Sequence, residues 1–379
     1  MDTPTVCLFL GVFFLLTAAT VGMRSLLKYT DYGVDPAIIE TFRPRIWIWY
    51  ILFGALAGAF LLGLLATIIF FFVLSVAILR EYITLTPKSP ADHQTLFFIY
   101  LVFTPLQFAL VGINPQWFLQ VTGLTPYQVF SMLLPGYVFL VLPGMMAISG
   151  DPKRFLERTA KLQLGLIICV YSLSYAPALL TLDLSNGSAN AEPIPNVQNN
   201  VIAYLGGTDY PIQYKPAVYQ QMEIVEEMDS SSAQLLRIFL PSISGKHFQL
   251  LFFFILIVQF GDVFQYLWSR ASRRFVVAGQ INSNRTWEGL LGSMVSTALL
   301  GAALWYFTPF PYMWQAGLVA MLVSLMGFLG SMTMSAIKRD RGVSSYGALI
   351  PGHSGFLDRI DSLCFAAPVF YHLVWYFTG

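Results

Sequence analysis

The 379-residue chain is 56% hydrophobic and only 11% charged, with a formal net charge of +1 and a mean hydropathy of +0.65. Soluble domains carry about 25% charged residues, so this chain cannot cover itself with a polar surface, and the lack of a basic excess argues against a nucleic-acid partner. Cys7, Cys169 and Cys364 sit singly in apolar runs with no CxxC spacing, which reads as buried thiols rather than a metal or redox pair.

A helix needs about 20 apolar residues to cross the hydrocarbon core. Spans are predicted at about 4–22, 46–63, 64–80, 96–113, 127–149, 162–181, 248–268, 287–308, 312–334 and 362–378. The expected fold class is therefore all-α, a polytopic integral membrane protein with about 10 transmembrane helices. Trp47 to Leu79 is one long apolar run, too long for a single span, and Gly54, Gly58 and Gly63 offer places to turn. The first span has Asp2 before it and Arg24 after it, which suits an anchor better than a signal peptide.

The positive-inside rule orients these spans. Segments 23–45, 80–95, 150–161, 269–286 and 335–361 hold all but Lys215, Arg237 and Lys246 of the 21 Lys and Arg residues. Both termini are then expected outside the cytoplasm, in an arrangement that fits a bacterial inner membrane with the chemistry on the cytoplasmic side.

Three parts follow in order. Residues 1–182 form N-terminal transmembrane helices with few polar groups, read as a scaffold or lipid-facing unit. Arg80 and Glu81 are the exception, either an interfacial anchor or a support for a site elsewhere. Residues 183–247 are a polar, proline-containing, non-cytoplasmic insertion: a cap, a partner contact or a disordered loop. Residues 248–379 carry the candidate chemistry. Asp262 falls within an apolar span, where a carboxylate is costly and a functional role is the default. Arg285 and Thr286 lie at a predicted helix start and can donate to phosphate there, while Glu288 can orient the arginine or cap the helix.

The densest cluster runs from Ser335 through Lys338, Arg339, Asp340 and Arg341 to His353, Gly355, Asp358, Arg359 and Asp361. Lys338, Arg339, Arg341 and Arg359 suit a polyphosphate, with arginine reading oxygens in pairs and lysine acting as a point charge. Pro351, Gly352 and Gly355 make a tight turn around His353. Asp358 and Asp361, at i,i+3, share a helix face, and such carboxylates can hold Mg²⁺ together with substrate phosphates. The bland reading, a solvated basic loop before an acidic helix start, accounts for the arginines but poorly for the run from Pro351 to Asp361.

These residues resemble the signature of the phosphatidate cytidylyltransferases. Ser335, Lys338, Arg339, His353, Gly355, Asp358, Arg359 and Asp361 fall in register with it, and Asp262 and Arg285–Gly289 are similar to further landmarks. The resemblance is specific over about residues 255–365. It implies Mg²⁺-dependent (or Mn²⁺-dependent) transfer of a cytidylyl group from CTP to phosphatidate, giving CDP-diacylglycerol and pyrophosphate. It implies Asp262, Lys338, Arg339, His353, Asp358 and Asp361 as catalytic residues. Arg285, Thr286, Glu288, Ser335 and Arg359 bind substrate in that reading, and Asp262, Asp358 and Asp361 hold the metal. The expected partners are CTP, phosphatidate and membrane lipid, with no nucleic acid; a homodimer is compatible with it.

The chain departs from the pattern. Ser331 and Ser345 stand where the family carries carboxylates, and Ser354 replaces a glycine. Depleted acidity is expected to weaken metal binding, so a non-catalytic relative that binds lipid or nucleotide as a membrane partner or regulator is the alternative. A transporter fits less well, because the polar residues gather at helix ends rather than along a midplane path.

Overall fold

The structure is a computed structural model that describes residues 53–85, 92–182, 245–272, 274–343 and 355–378, with Thr17, Thr20, Val21, Tyr50 and Tyr346 besides. Most of the predicted span at 4–22, most of the 183–247 insertion, His353, Ser345 and Ser354 lie outside the described residues.

The helices, in chain order, are α1 (Phe53–Leu62), α2 (Leu64–Thr84), α3 (His93–Gly112), α4 (Pro115–Thr122), α5 (Pro126–Ile148), α6 (Phe155–Thr181) and α7 (Gly245–Ala271), followed by α8 (Trp287–Ala303), α9 (Met313–Arg341) and α10 (Leu357–Thr378). Seven of them, α2, α3, α5, α6, α7, α9 and α10, are long and apolar enough to cross a bilayer. Seven long apolar helices among the described residues are thus the part of the expected ten spans that the structure shows. The predicted span at 287–308 is shorter than expected. Its helix ends at Ala303, and Trp305–Phe307 forms a separate 3₁₀ turn.

The all-α expectation holds for the fold, and the chain adds one short element to it. Between α7 and α8 the chain forms an antiparallel hairpin of β1 (Val276–Ala278) and β2 (Asn282–Thr286), pairing Val276 with Thr286 and Ala278 with Asn282. The β-branched Val276 and Val277 favour extended backbone, and Gly279 and Gln280 supply the turn. The other regular elements among the described residues are helical.

Gly63 separates α1 from α2 with φ +96°, a conformation open to glycine without steric cost. Phe60 packs on Phe248 and Phe53 on Phe252, so α1 runs toward the N-terminal end of α7. α2 then runs away from it and brings Glu81 to the start of α10. The chain reverses at Gly63, as its position in the long apolar run predicts.

The C-terminal helices pack with small residues between them, which lets backbones approach closely. A Cβ placed on Gly301 would come within 2.4 Å of the Ala320 methyl group, and one on Gly330 within 2.8 Å of the Phe365 ring. Phe254 stacks on Phe370, joining α7 to α10. On the outer face of α8, Leu291, Val295 and Leu299 form an exposed apolar stripe at i, i+4, i+8. An apolar stripe of this kind suits contact with lipid, and the exposed Tyr306, Tyr312, Trp314 and Tyr376 suit a membrane interface at the opposite end from Glu81.

Four of the five basic segments meet at one end of the bundle. Arg341 of α9 reaches Glu157 of α6 at 3.2 Å, and Arg339 donates to the Ile281 carbonyl of the hairpin at 3.2 Å. Arg158 pairs with Asp151 and lies 3.7 Å from Asp92, binding the start of α6 to the loops beside it. The one-sided charge pattern in the sequence therefore corresponds to one assembled polar layer.

Candidate functional site

The polar layer is built around α10, and the first turn of that helix is fixed from far away in sequence. The two oxygens of Glu81 accept from the backbone N–H groups of Phe356 at 3.1 Å and Leu357 at 2.8 Å. A carboxylate at a helix N-terminus satisfies otherwise orphaned donors and complements the helix dipole. Gly355 leaves room for it, since a Cβ there would lie 2.5 Å from a Glu81 oxygen.

Asp358 and Asp361 follow on this helix, and each is engaged differently. Asp358 accepts from Lys338 Nζ at 2.8 Å through one oxygen and from the Tyr346 backbone N–H at 3.3 Å through the other. The Lys338 ammonium also stands 5.7 Å from the Tyr346 ring centroid, and the Tyr346 hydroxyl donates to the Met334 carbonyl at 2.7 Å. Burial, reinforced by the Asp358 carboxylate, pushes the Tyr346 phenol well up, so it remains a donor.

Asp361 instead joins Asp262. The Ser362 hydroxyl lies 3.0 Å from Asp262 Oδ1 and 3.4 Å from Asp361 Oδ1, while the Ser362 N–H donates to Asp361 at 2.8 Å. One hydroxyl thus spans two carboxylates supplied by α7 and α10. Sequence reading gave Ser362 no role, because a lone serine beside an aspartate carries no distinguishing signal.

Arg285 projects from β2 into the same region. Its Nη2 donates to the Ser331 hydroxyl at 2.5 Å and stands 3.9 Å from Asp262. The neutral residue at position 331 is therefore in direct contact with a predicted phosphate-binding arginine. Asn282, also on β2, donates to the Ser335 hydroxyl at 3.1 Å.

Thr286 and Glu288 build the hairpin-to-helix junction. Thr286 is buried and caps α8, accepting from the Gly289 N–H at 3.0 Å and donating to Ser269 at 3.2 Å. Glu288 accepts from the Phe275 N–H at 3.2 Å. Arg339 is exposed and holds the hairpin turn through the Ile281 carbonyl. Arg359 lies half-buried on α10 between the two aspartates. The structure thus brings Asp262, Arg285, Ser331, Asp361 and Ser362 together, with Lys338 and Asp358 paired alongside.

Among the described residues no group of three His, Cys, Asp or Glu side chains is placed to share a metal ion. The Asp262–Asp361 pair does fit Mg²⁺, a hard cation bound by oxygen and satisfied by one or two carboxylates plus substrate phosphates. Position 331, where the resemblance leads to the expectation of a carboxylate, carries a hydroxyl that Arg285 already engages.

An uncharacterized protein of Escherichia coli, YnbB, is 29% identical over 314 residues, covering 82% of this chain and 79% of that protein. A phosphatidate cytidylyltransferase of Synechocystis sp. is 40% identical over 96 residues, 25% of this chain and 32% of that protein. One of Staphylococcus aureus is 35% identical over 126 residues, 33% of this chain and 48% of that protein. Residues 43–377 match the Cytidylyltransferase family, so the match runs through both the scaffold helices and the polar layer, and the chain belongs to that family.

Proposed function

We propose that the protein transfers a cytidylyl group from CTP to phosphatidate at the cytoplasmic face of the membrane. The observation that carries this reading is the convergence of Asp262 and Asp361 on one hydroxyl with Arg285 beside them. Such an arrangement sets cations beside a carboxylate pair, which is what a reaction between two anionic substrates requires. Family membership and the partial likeness to phosphatidate cytidylyltransferases support the same reading.

In this reaction a phosphate oxygen of phosphatidate bonds to the α-phosphorus of CTP. The bond between that phosphorus and the oxygen bridging to the β-phosphate breaks, and pyrophosphate leaves. The nucleophile is already ionised, so no general base is required. Arg285, Lys338 and Arg359 hold phosphate oxygens and offset the repulsion between the substrates. Lys338 is kept in place by Asp358, whose two engaged oxygens make it a positioning group rather than the first choice of metal ligand. Asp262 and Asp361 would hold Mg²⁺, which supplies charge neutralisation for the phosphates when bound. Ser362 orients both carboxylates, and Arg339 acts through the hairpin that presents Arg285. His353 retains its proposed role in positioning a phosphate.

A second reading draws on Ser331. With a hydroxyl there, bonded to Arg285, the acidic half of the site is smaller than in the family pattern, which favours a relative that binds nucleotide or lipid without turnover. Labelled CTP supplied with phosphatidate and Mg²⁺ or Mn²⁺ separates the two: product CDP-lipid supports the enzyme, whereas CTP binding without product supports the binding protein.

A further inference from the structure

Gln265 lies on α7 and is only 2% exposed, and its side-chain Nε2 is buried without a hydrogen-bond partner. A buried carboxamide in that state costs free energy relative to an apolar side chain of the same shape. The position explains what the group can serve. Gln265 is three residues after Asp262 and four before Ser269, and residues at these spacings share a helix face. Both neighbours on that face touch the end of β2. Asp262 stands 3.9 Å from Arg285, and the Ser269 hydroxyl accepts from Thr286 at 3.2 Å. The amide therefore sits between the two contacts that α7 makes with Arg285 and Thr286. Small polar groups that α8 and α9 carry in this part of the bundle are satisfied within the protein: Ser331 by Arg285, and Ser324 by donating to Ser293 at 3.3 Å.

We propose that Gln265 is a substrate-contacting residue whose carboxamide N–H donates to a phosphate oxygen held on its other side by Arg285. A neutral donor adds direction to such a site without adding charge to a helix interior, where a second cation would be costly. The inference rests on the phosphate-transfer reading above. The phosphate belongs either to the nucleotide or to the lipid, and both present the same oxygen chemistry.

The test uses the full chain in phosphatidylcholine nanodiscs, with and without phosphatidate, comparing wild type with Gln265→Leu and Gln265→Glu. Thermal unfolding and equilibrium binding are read with CTP, with pyrophosphate and with phosphatidate as probes. Gln265→Leu is expected to unfold at the same or a higher temperature while binding a probe about ten- to a hundredfold more weakly. Gln265→Glu is expected to weaken it further through repulsion. Loss toward CTP and pyrophosphate assigns the contact to the nucleotide; loss toward phosphatidate alone assigns it to the lipid. Unchanged affinity for every probe overturns the inference, as does a lower unfolding temperature with affinities unchanged or reduced in parallel for all three. A wild type that binds neither CTP nor phosphatidate overturns the functional reading and this inference with it, whereas a responsive wild type and an equally responsive Gln265→Leu overturn the inference alone.

Discussion

Glu81 accepts a hydrogen bond from the backbone of Leu357, 276 positions later in the chain, at 2.8 Å. This contact joins the N-terminal helices to the helix that carries Asp358, Arg359 and Asp361, so the scaffold also sets where the site begins.

Removing that cap has a defined outcome. Glu81→Ala leaves two N–H groups at the start of α10 without their acceptor and is expected to cost about 1–3 kcal/mol. Glu81→Gln, with one acceptor oxygen, should fall between. Gly355→Ala should resemble Glu81→Ala, because its methyl group occupies space now held by the carboxylate. Thermal unfolding in detergent, paired with turnover, measures both; an unfolding temperature unchanged in Glu81→Ala contradicts the assignment.

The two aspartates of α10 should separate in their metal dependence. Asp361→Asn and Asp262→Asn are expected to raise the half-saturating Mg²⁺ concentration sharply, while Asp358→Asn changes stability and CTP affinity more than metal response. Titrating activity against Mg²⁺ distinguishes them. A larger metal effect from Asp358→Asn would return that residue to the metal site.

Ser362→Ala tests the bridge between the carboxylates. Groups that orient metal ligands are worth about 10–100-fold in metal affinity, and a loss of that size is expected with CTP affinity little altered. Equal Mg²⁺ titrations for wild type and variant would count against the bridge.

Ser331→Asp places a third carboxylate beside Asp262 and directly against Arg285. The half-saturating Mg²⁺ concentration is expected to fall by about tenfold or more. At the same time the KM for CTP should rise, because a charge-assisted bond now holds the arginine. Parallel titrations of metal and nucleotide check both signs, and an unchanged Mg²⁺ requirement refutes the proposed reason for weak metal binding.

The sequence carried the membrane architecture because composition and charge sidedness are summed over many residues. Span lengths located α2, α3, α5 and α7 to within about four positions and α6, α9 and α10 to within about seven, and the basic segments that meet at one end of the bundle were already aligned by alternation. The hairpin was not legible, since five residues of weak β character sit in a polar connection. Asp358 and Asp361 show another limit. Their i,i+3 spacing places them near one another on a helix, but Lys338 on α9 claims one and Ser362 with Asp262 claims the other. The Glu81 cap depends on tertiary approach across 276 positions. Gln265 escaped notice because an uncharged amide within an apolar span resembles a tolerated substitution until its missing partner is seen.

The central claim is that this cationic layer and carboxylate pair perform transfer rather than binding alone. Purified wild-type protein incubated with labelled CTP, phosphatidate and Mg²⁺ or Mn²⁺ tests it most directly, with Asp262→Asn as the control. The account predicts labelled CDP-diacylglycerol and pyrophosphate in equal amounts from wild type, and far less of both from the variant at the same Mg²⁺ concentration. CTP that binds the wild type but yields no CDP-lipid with either metal would contradict it.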